Sequence, residues 1–223
     1  MLAFKEQVYN ATIELIKRQT TLQSWGNISA VDRKSGVMVI KPHKTNIQDI
    51  RPGDMVVMNL QGKVLDGLKK PSFDALTHLV IYNSFPEIGA IAHTHSMYAS
   101  CWAQAGQSIP PLGITHIDRF YGEIPCTREL TDLESEKNYE EATGHVIVEA
   151  LKDLDPFKTP AVLVNRHGPF VWGKDLDAAL RNASVIEEIA GMAYITLQIN
   201  PQLNILTAKQ VNVHYERYLS DNN

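Results

Sequence analysis

Apolar residues recur at helical spacing in several parts of the chain, and these parts predict helices. Residues 4–18 place Val8, Ile13 and Ile16 near a 3.6-residue period. A longer periodic stretch, residues 175–199, begins with an acidic residue and is followed by Pro201, which is typical of a helix with an N-cap and a stop. Further helices are predicted at residues 73–85, 137–153 and 207–219.

Short β-type runs lie between these helices. They are GVMVIK, DMVVMNLQGKVLDG, EIGAIAHTH, PAVLVNRHG and PFVWG, and the second has a turn signal at Gln61-Gly62 that predicts a hairpin. This order predicts one α/β domain over residues 1–223, with a partly antiparallel sheet in a layered arrangement. The order of strands within the sheet does not follow from the pattern.

Composition narrows the class of protein. The chain has 223 residues and a net charge of -4, and its 21 Lys+Arg are spread out, which disfavours a nucleic-acid partner. No apolar run reaches the ~20 residues of a membrane helix, and the N-terminal segment lacks the features of a secretory signal. Cys101 and Cys126 form no metal or redox motif, so we expect two free thiols and a cytoplasmic protein.

Two histidines at the end of an apolar run are the first candidate functional residues. In a strand, His93 and His95 point to the same face, with their Cα atoms roughly 6.5 to 7 Å apart. Two imidazoles at that spacing can bind one ion with Zn–N bonds of about 2.0 to 2.1 Å. An H-x-H pair occurs often by chance, and taken alone it more often marks two hydrogen-bonded surface histidines at a strand end.

A third histidine and a carboxylate strengthen the metal hypothesis. His167 follows another buried strand, and strand ends are where sites are commonly assembled. Three neutral imidazoles would leave the full +2 charge on an ion with room for an exogenous oxygen, which is typical of catalytic sites. Asp74 lies at a predicted helix start, where it is either a helix cap or a group that ligates the ion or moves a proton.

Other prominent side chains are predicted to have structural roles. Trp25 and Trp102 are expected in the core, and His78 and His116 are expected to be hydrogen-bonded structural histidines.

The chain resembles the L-ribulose-5-phosphate 4-epimerases of the class II aldolase family in five stretches. These are SWGNISAVDR, KKPSFD, IAHTHSMYASCWAQAGQSIP, THIDRFYGEIPCTR and HGPFVWGKD, and the resemblance runs from about residue 4 to about residue 203. It implies a single three-layer α/β domain with a central, mainly antiparallel sheet flanked by helices, a cyclic homotetramer, and active sites between subunits.

The resemblance also implies the site residues. The metal, usually zinc, would be held by His93, His95 and His167, with Asp74 as a further ligand or a proton-handling group. Aldolase relatives tend to carry Glu in place of Asp74, which favours the epimerase branch. An acid from the adjacent subunit is implied at Asp118, inside THIDRFYG.

The implied reaction inverts carbon 4 of a pentulose 5-phosphate. That C–H is not acidic, so the C3–C4 bond breaks instead, giving an enediolate and glycolaldehyde phosphate. The aldehyde turns and adds back through its other face. One acid/base per face is needed to handle the proton on the carbon-4 oxygen, and a divalent ion can stabilise the enediolate charge.

The expected phosphate grip departs from the family pattern. The resemblance places Gly26 and Asn27 against the substrate, but the usual Ser-Gly loop reads His43-Lys44 and the usual Ser-Ser reads Ser72-Phe73. Three interpretations remain open. His43 and Lys44 hold phosphate by charge, with Lys41, Asn27 and Ser72 assisting; the substrate carries a different group there; or KPHK is a solvated basic turn.

The C-terminus departs as well. The chain ends VNVHYERYLSDNN, without the later tyrosine that serves family epimerases as a second proton carrier. The missing tyrosine weakens the case for an epimerase but not for the metal site. From the resemblance as a whole we expect a zinc-dependent sugar-phosphate epimerase, with two alternatives. One is an aldolase-type lyase acting on a different hydroxy-ketone, and the other is a non-catalytic paralogue that binds a sugar phosphate.

Overall fold

Seven strands form one antiparallel sheet in the order β4-β3-β2-β1-β5-β7-β6. The computed structural model describes residues 1–18 and 25–222. The strands are β1 (Asn27–Asp32), β2 (Val37–Ile40), β3 (Val56–Asn59), β4 (Val64–Asp66), β5 (Ala90–His93), β6 (Ala161–Leu163) and β7 (Pro169–Gly173).

Helices cover both faces of this sheet. They are α1 (Leu2–Lys17), α2 (Ala75–Ser84), α3 (Met97–Gln104), α4 (Ile114–Ile117), α5 (Asp132–Lys137), α6 (Tyr139–Ala150), α7 (Leu176–Ile199) and α8 (Ala208–Asn222), with 3-10 turns at Ile47–Asp49 and Pro52–Asp54. Among these described helices, no segment pairs enough length with enough apolar character for a bilayer crossing.

Alternation along the central strands creates two cores. Ala90 and Ala92 of β5 join the core formed with α1, α3 and α7, whereas Ile91 joins the core formed with α2 and α6. Because side chains alternate along a strand, the two cores lie on opposite faces. The predicted three-layer α/β domain with a central antiparallel sheet is therefore confirmed.

The central pairing brings site residues into one row across the sheet. In the antiparallel register, His93 of β5 lies opposite Asn27 of β1 on one side and opposite Phe170 of β7 on the other. Directly opposite residues in a sheet have neighbouring side chains. Residues that are 66 and 77 positions from His93 along the chain are thus placed next to it.

Helices α2 and α6 are held tightly against each other. A Cβ at Gly144 of α6 would lie 2.6 Å from the Val80 Cβ of α2, so only glycine allows this approach. The Thr77 hydroxyl of α2 also donates to the Glu140 carbonyl of α6 at 2.6 Å. The C-terminal end of α2 is fixed separately by Arg33, whose guanidinium donates to the carbonyls of Tyr82, Phe85 and Ile88.

Most predicted elements are confirmed, and one predicted core residue is wrong. The hairpin at Gln61-Gly62 and the long helix capped by Asp175, whose side chain accepts from the Ala178 N–H, lie where the pattern predicts them. Trp102 packs against the core and donates its indole N–H to the Ala190 carbonyl. Trp25, however, is 61% exposed, because it precedes β1 at the edge of a cavity described below.

Candidate metal centre

Three histidine side chains converge at one end of the central strands. His93 ends β5, His95 follows it by two residues, and His167 lies in the turn between β6 and β7. One ligand atom from each ring lies within 4.8 Å of the others, and the Nε2 atoms of His93 and His95 are 3.1 Å apart. We call these three residues the histidine centre. Strand β5 ends at His93, so His95 lies beyond the strand, but the two rings still meet, with centroids 4.7 Å apart.

A hydrogen bond at the far side of the His93 ring shows which of its two nitrogens is available to an ion. His93 Nδ1 lies 3.0 Å from the Pro169 carbonyl oxygen, so it carries the proton and donates. The lone pair of the neutral ring is then on Nε2. Two bonds of about 2.05 Å at a tetrahedral zinc put the two nitrogens about 3.3 Å apart, close to the observed separation. The donor set therefore fits a divalent ion.

Burial keeps the three rings in the form that binds metals. It lowers the pKa of His167 and His95, and it lowers the pKa of His93 well below the ordinary value, because a charged imidazolium is poorly solvated there. The negative charge of Asp74 acts in the opposite direction and raises the pKa of each ring. A divalent ion competes with protons for imidazole nitrogen, so neutral rings near pH 7 favour binding.

Asp74 stands beside the centre as an ionised carboxylate. It occupies the N-cap position of α2 but makes no capping hydrogen bond; instead it accepts from Asn27 Nδ2 at 2.6 Å and from Ser72 Oγ at 3.4 Å. Burial raises its pKa, but electrostatic coupling to His93 and other nearby histidines, with the Asn27 hydrogen bond, outweighs that and lowers the pKa overall. Asp74 therefore occupies the predicted N-cap position, but its carboxylate bonds Asn27 and Ser72 and does not cap the helix.

A second feature, which we call the basic cavity, opens next to Asp74. It has a volume of about 430 Å³ and gathers almost all the predicted substrate-binding residues. Its lining consists of Trp25, Gly26, Asn27, Lys41, His43, Lys44, Thr45, Asn46, Ser72 and Asp74. Asp74 thus lines the cavity on one side and interacts electrostatically with the histidine centre on the other.

Phe73 and His43, two of the departures from the family pattern, occur together. Phe73 is 57% exposed and is not part of the cavity lining; its ring packs on His43 with centroids 3.6 Å apart and an interplanar angle of 40°. The two changes therefore form one aromatic contact at the edge of the basic cavity.

The backbone of the loop keeps the conformation that a glycine would adopt. Lys44 has a φ of +48°, in the left-handed region that favours glycine. A non-glycine residue there carries strain, and such strain is concentrated at ligand-binding sites. Lys41, by contrast, is buried, which lowers its pKa, while Asp74 raises it. The cavity is therefore lined by cations in two different environments.

Two aromatic residues at the site were missed by sequence reasoning. Trp25 lines the basic cavity and its ring meets that of His95 edge-on, with centroids 5.9 Å apart. The Tyr139 hydroxyl lies 3.2 Å from His167 Nδ1. The quoted motif SWGN could have signalled Trp25, because the next two residues are Gly26 and Asn27; no pattern in the sequence signals Tyr139.

Asp118 lies elsewhere within the chain. It is partly buried just after α4 and lines a separate cavity of about 230 Å³ with Lys174, Tyr215 and Tyr218, among others. That cavity shares no lining residue with the basic cavity. Within one chain, the structure therefore does not bring Asp118 together with Asp74.

The two structural histidines behave as predicted. The His78 Nδ1 atom is hydrogen-bonded to Ser29 Oγ at 2.7 Å, and His116 Nε2 donates to the Gly122 carbonyl at 2.7 Å. Burial lowers the pKa of each to about 4.

Comparison with known proteins agrees with this architecture. The chain is similar in structure to an L-fuculose 1-phosphate aldolase, with a TM-score of 0.85, 22% identity, and coverage of 97% of this chain and 96% of that one. It is also similar to YgbL from Escherichia coli, which carries the broad designation aldolase/epimerase/decarboxylase, with a TM-score of 0.76, 23% identity, and coverage of 96% and 98%.

A third structure, an L-fuculose 1-phosphate aldolase from Glaciozyma antarctica PI12, has a TM-score of 0.76 and 18% identity over 97% of this chain and 81% of that one. At these identities the likeness establishes the fold. The family is established by sequence, since the profile described as Class II Aldolase and Adducin N-terminal domain matches residues 6–194. This chain belongs to the class II aldolase and adducin N-terminal domain family.

Proposed function

We propose that this protein is a zinc-dependent epimerase that inverts carbon 4 of a pentulose 5-phosphate by retro-aldol cleavage and re-addition. The observation that carries the proposal is the junction of the histidine centre with the basic cavity at Asp74. One side of Asp74 offers three neutral nitrogen donors, and the other offers a cationic recess for a phosphate. A phosphorylated hydroxy-ketone has its polar groups arranged in the same way, with adjacent oxygens at one end and a dianion at the other.

When bound, a divalent ion at His93, His95 and His167 would supply the Lewis acidity that stabilises negative charge on adjacent substrate oxygens as the C3–C4 bond breaks. The chain supplies the rest. Asp74 is ionised and held by Asn27, so it can accept a proton from a substrate hydroxyl and return it. Trp25 lines the basic cavity and meets His95 edge-on, so it borders both halves of the site.

The basic cavity supports a phosphate-binding role. Lys41 and Lys44 supply charge, and the side chains of Asn27, Thr45, Asn46 and Ser72 add hydrogen-bonding groups around the same recess. A phosphate bound in the basic cavity would keep the cleaved aldehyde in the site while the aldehyde rotates. That retention separates an epimerase from a lyase.

The second proton carrier is assigned to Asp118 of a neighbouring copy in a homotetramer. Asp118 is half-buried at the surface cavity of its own chain, and two-faced addition needs an acid/base opposite Asp74. A monomer would then retain metal binding but lose epimerisation.

Zn²⁺-loaded protein incubated with L-ribulose 5-phosphate tests the proposal directly. We expect D-xylulose 5-phosphate to form, as monitored by ¹³C NMR, and we expect no product with His95→Ala. Absence of turnover by protein with a full metal site excludes this substrate, and tight binding of it without product supports a non-catalytic sugar-phosphate-binding paralogue instead.

A lyase is the second candidate, because one observation favours it. Within the described chain, Asp74 is the carboxylate coupled to the histidine centre, and a simple cleavage needs only one proton carrier. Incubation of the Zn²⁺-loaded protein with a panel of phosphorylated hydroxy-ketones distinguishes the two. Accumulation of a free aldehyde and a three-carbon product, trapped enzymatically, indicates a lyase, whereas an epimerase converts L-ribulose 5-phosphate with neither fragment accumulating.

A further inference from the structure

We infer that Tyr139 is a positioning residue for the metal centre, which orients His167 so that its Nε2 atom binds the ion. This inference rests on the proposed metal-dependent function and names a residue outside the expected ligand set. Its basis is the 3.2 Å contact between the Tyr139 hydroxyl and His167 Nδ1.

His167 needs such a partner more than His93 does. His93 is fixed on both sides, since its Nδ1–H donates to the Pro169 carbonyl and its ring stacks on Phe170 with centroids 4.1 Å apart and an angle of 16°. His167 lies in a turn, and the ring of Phe170 meets it only edge-on, with centroids 6.1 Å apart. For its Nδ1, the hydrogen-bond partner in the described structure is Tyr139.

The hydrogen bond defines the tautomer. If Nε2 provides the lone pair, Nδ1 of the neutral ring carries the proton and donates it to the Tyr139 oxygen. Metal-bound histidines commonly make this type of bond with the second nitrogen, and the bond both orients the ring and increases its basicity. The Tyr139 hydroxyl then accepts the Nδ1 proton of His167, as the Pro169 carbonyl accepts that of His93.

Helix packing holds the backbone at Tyr139. Tyr139 is the first residue of α6, its carbonyl accepts from the Thr143 hydroxyl at 2.7 Å, and the next carbonyl, of Glu140, accepts from Thr77 of α2. Close contact at Gly144 locks α6 onto the same helix that begins after Asp74. The packed helices α2 and α6 therefore place both Asp74 and Tyr139 beside the histidine centre.

The test compares Tyr139→Phe with Tyr121→Phe. Both remove one tyrosine hydroxyl, and Tyr121 hydrogen-bonds Asn212 and packs its ring against Tyr215, so it serves as a matched control outside the site. Zn²⁺ affinity is measured by competition with a chromophoric chelator, and Co²⁺-loaded protein is examined by visible absorption. The free energy of unfolding of each metal-free variant is measured in urea.

Tyr139→Phe is expected to weaken Zn²⁺ binding about 10- to 100-fold and to alter the Co²⁺ bands, while Tyr121→Phe changes neither. Metal-free Tyr139→Phe should retain its stability, which distinguishes positioning from a structural role. Unchanged affinity and Co²⁺ bands in Tyr139→Phe would overturn the inference. If the wild-type protein itself binds neither ion, the proposed function fails instead.

Discussion

The histidine centre and the basic cavity share Asp74 but are built in different ways. The histidine centre sits on strand ends and a tight turn; His93 is buried and the other two rings are half-buried, and the outer nitrogens of His93 and His167 are bonded to Pro169 and Tyr139. The basic cavity is made largely of loops, with Lys44 in a strained backbone conformation. The proposed ion-binding groups thus lie on strand ends and a tight turn, whereas the proposed phosphate-binding groups lie mostly on loops, where binding residues are often found.

The largest effect should come from removing one histidine of the histidine centre. His95→Ala is expected to abolish activity and to lower bound Zn²⁺ well below one ion per chain, because two imidazoles alone hold zinc weakly. Exposed His145 of α6 offers a matched control, His145→Ala, that should retain both. Full metal occupancy in His95→Ala, measured by elemental analysis, contradicts the assignment of His95 as a ligand.

Asp74 is the next test, because it belongs to both regions. Asp74→Asn keeps the shape but removes the charge that accepts a proton, and loss of a general acid/base commonly lowers the rate ~10²–10⁴-fold. Metal stoichiometry should remain near that of the wild type, since Asp74 lies with Asn27 and Ser72 and not among the converging nitrogens. A variant with wild-type kcat shows that Asp74 has no role in proton transfer.

In the cavity, Lys44→Ala and Lys44→Gly separate charge from backbone strain. Both remove a charge-assisted contact, so each should weaken a phosphorylated ligand by about 1.5 to 3 kcal/mol, measured by calorimetry. Lys44→Gly alone relieves the left-handed conformation and should stabilise the protein by up to about 1 kcal/mol. Unchanged affinity in both variants supports the solvated basic turn.

Acid should lower the free energy of unfolding through the buried side chain of His78. Its pKa is about 4 in the folded protein, against an ordinary value of 6.5, so between these pH values the unfolded chain binds a proton that the folded chain does not. The free energy of unfolding therefore falls as pH falls through this window, with a contribution of up to about 1.4 kcal/mol per pH unit. His78→Asn, which keeps a polar group near Ser29, should reduce that slope in urea titrations of the metal-free protein. An identical slope rules out His78 as a contributor.

The smallest effect is expected at the edge of the cavity. Phe73→Leu removes the aromatic contact with His43 and should cost about 0.5 to 1.5 kcal/mol in ligand affinity if that contact shapes the recess. Leu68, which is fully exposed, gives a control variant, Leu68→Ala, without effect on affinity. Equal affinities for Phe73→Leu and the wild type show that the stack lies outside the recognition surface.

The sequence predicted the parts of the molecule that depend on local pattern. Periodicity indicated α1, α7 and the β3–β4 hairpin, and the spacing of His93 and His95 indicated a shared face. His167 is joined to them by antiparallel pairing of β5 with β7, which the alternation of apolar residues does not encode. Its inclusion came from the strand-end argument together with the family resemblance.

What the sequence could not predict depends on long-range geometry. Trp25 looks like a core residue by composition, but it is exposed because the start of β1 borders a cavity formed by two other loops. The role of Tyr139 depends on the packing of α6 on α2, which a glycine 64 positions from Val80 makes feasible. The positive φ of Lys44 is invisible in the sequence, because lysine rarely adopts it.

X-ray absorption at the zinc edge of the reconstituted protein tests the central claim most directly. Three imidazole ligands at about 2.0 to 2.1 Å, completed by oxygen, are the predicted first shell. His95→Ala should reduce the imidazole count or lose the ion. A wild-type spectrum dominated by sulfur ligands, or one with fewer than three imidazoles at full occupancy, contradicts the account.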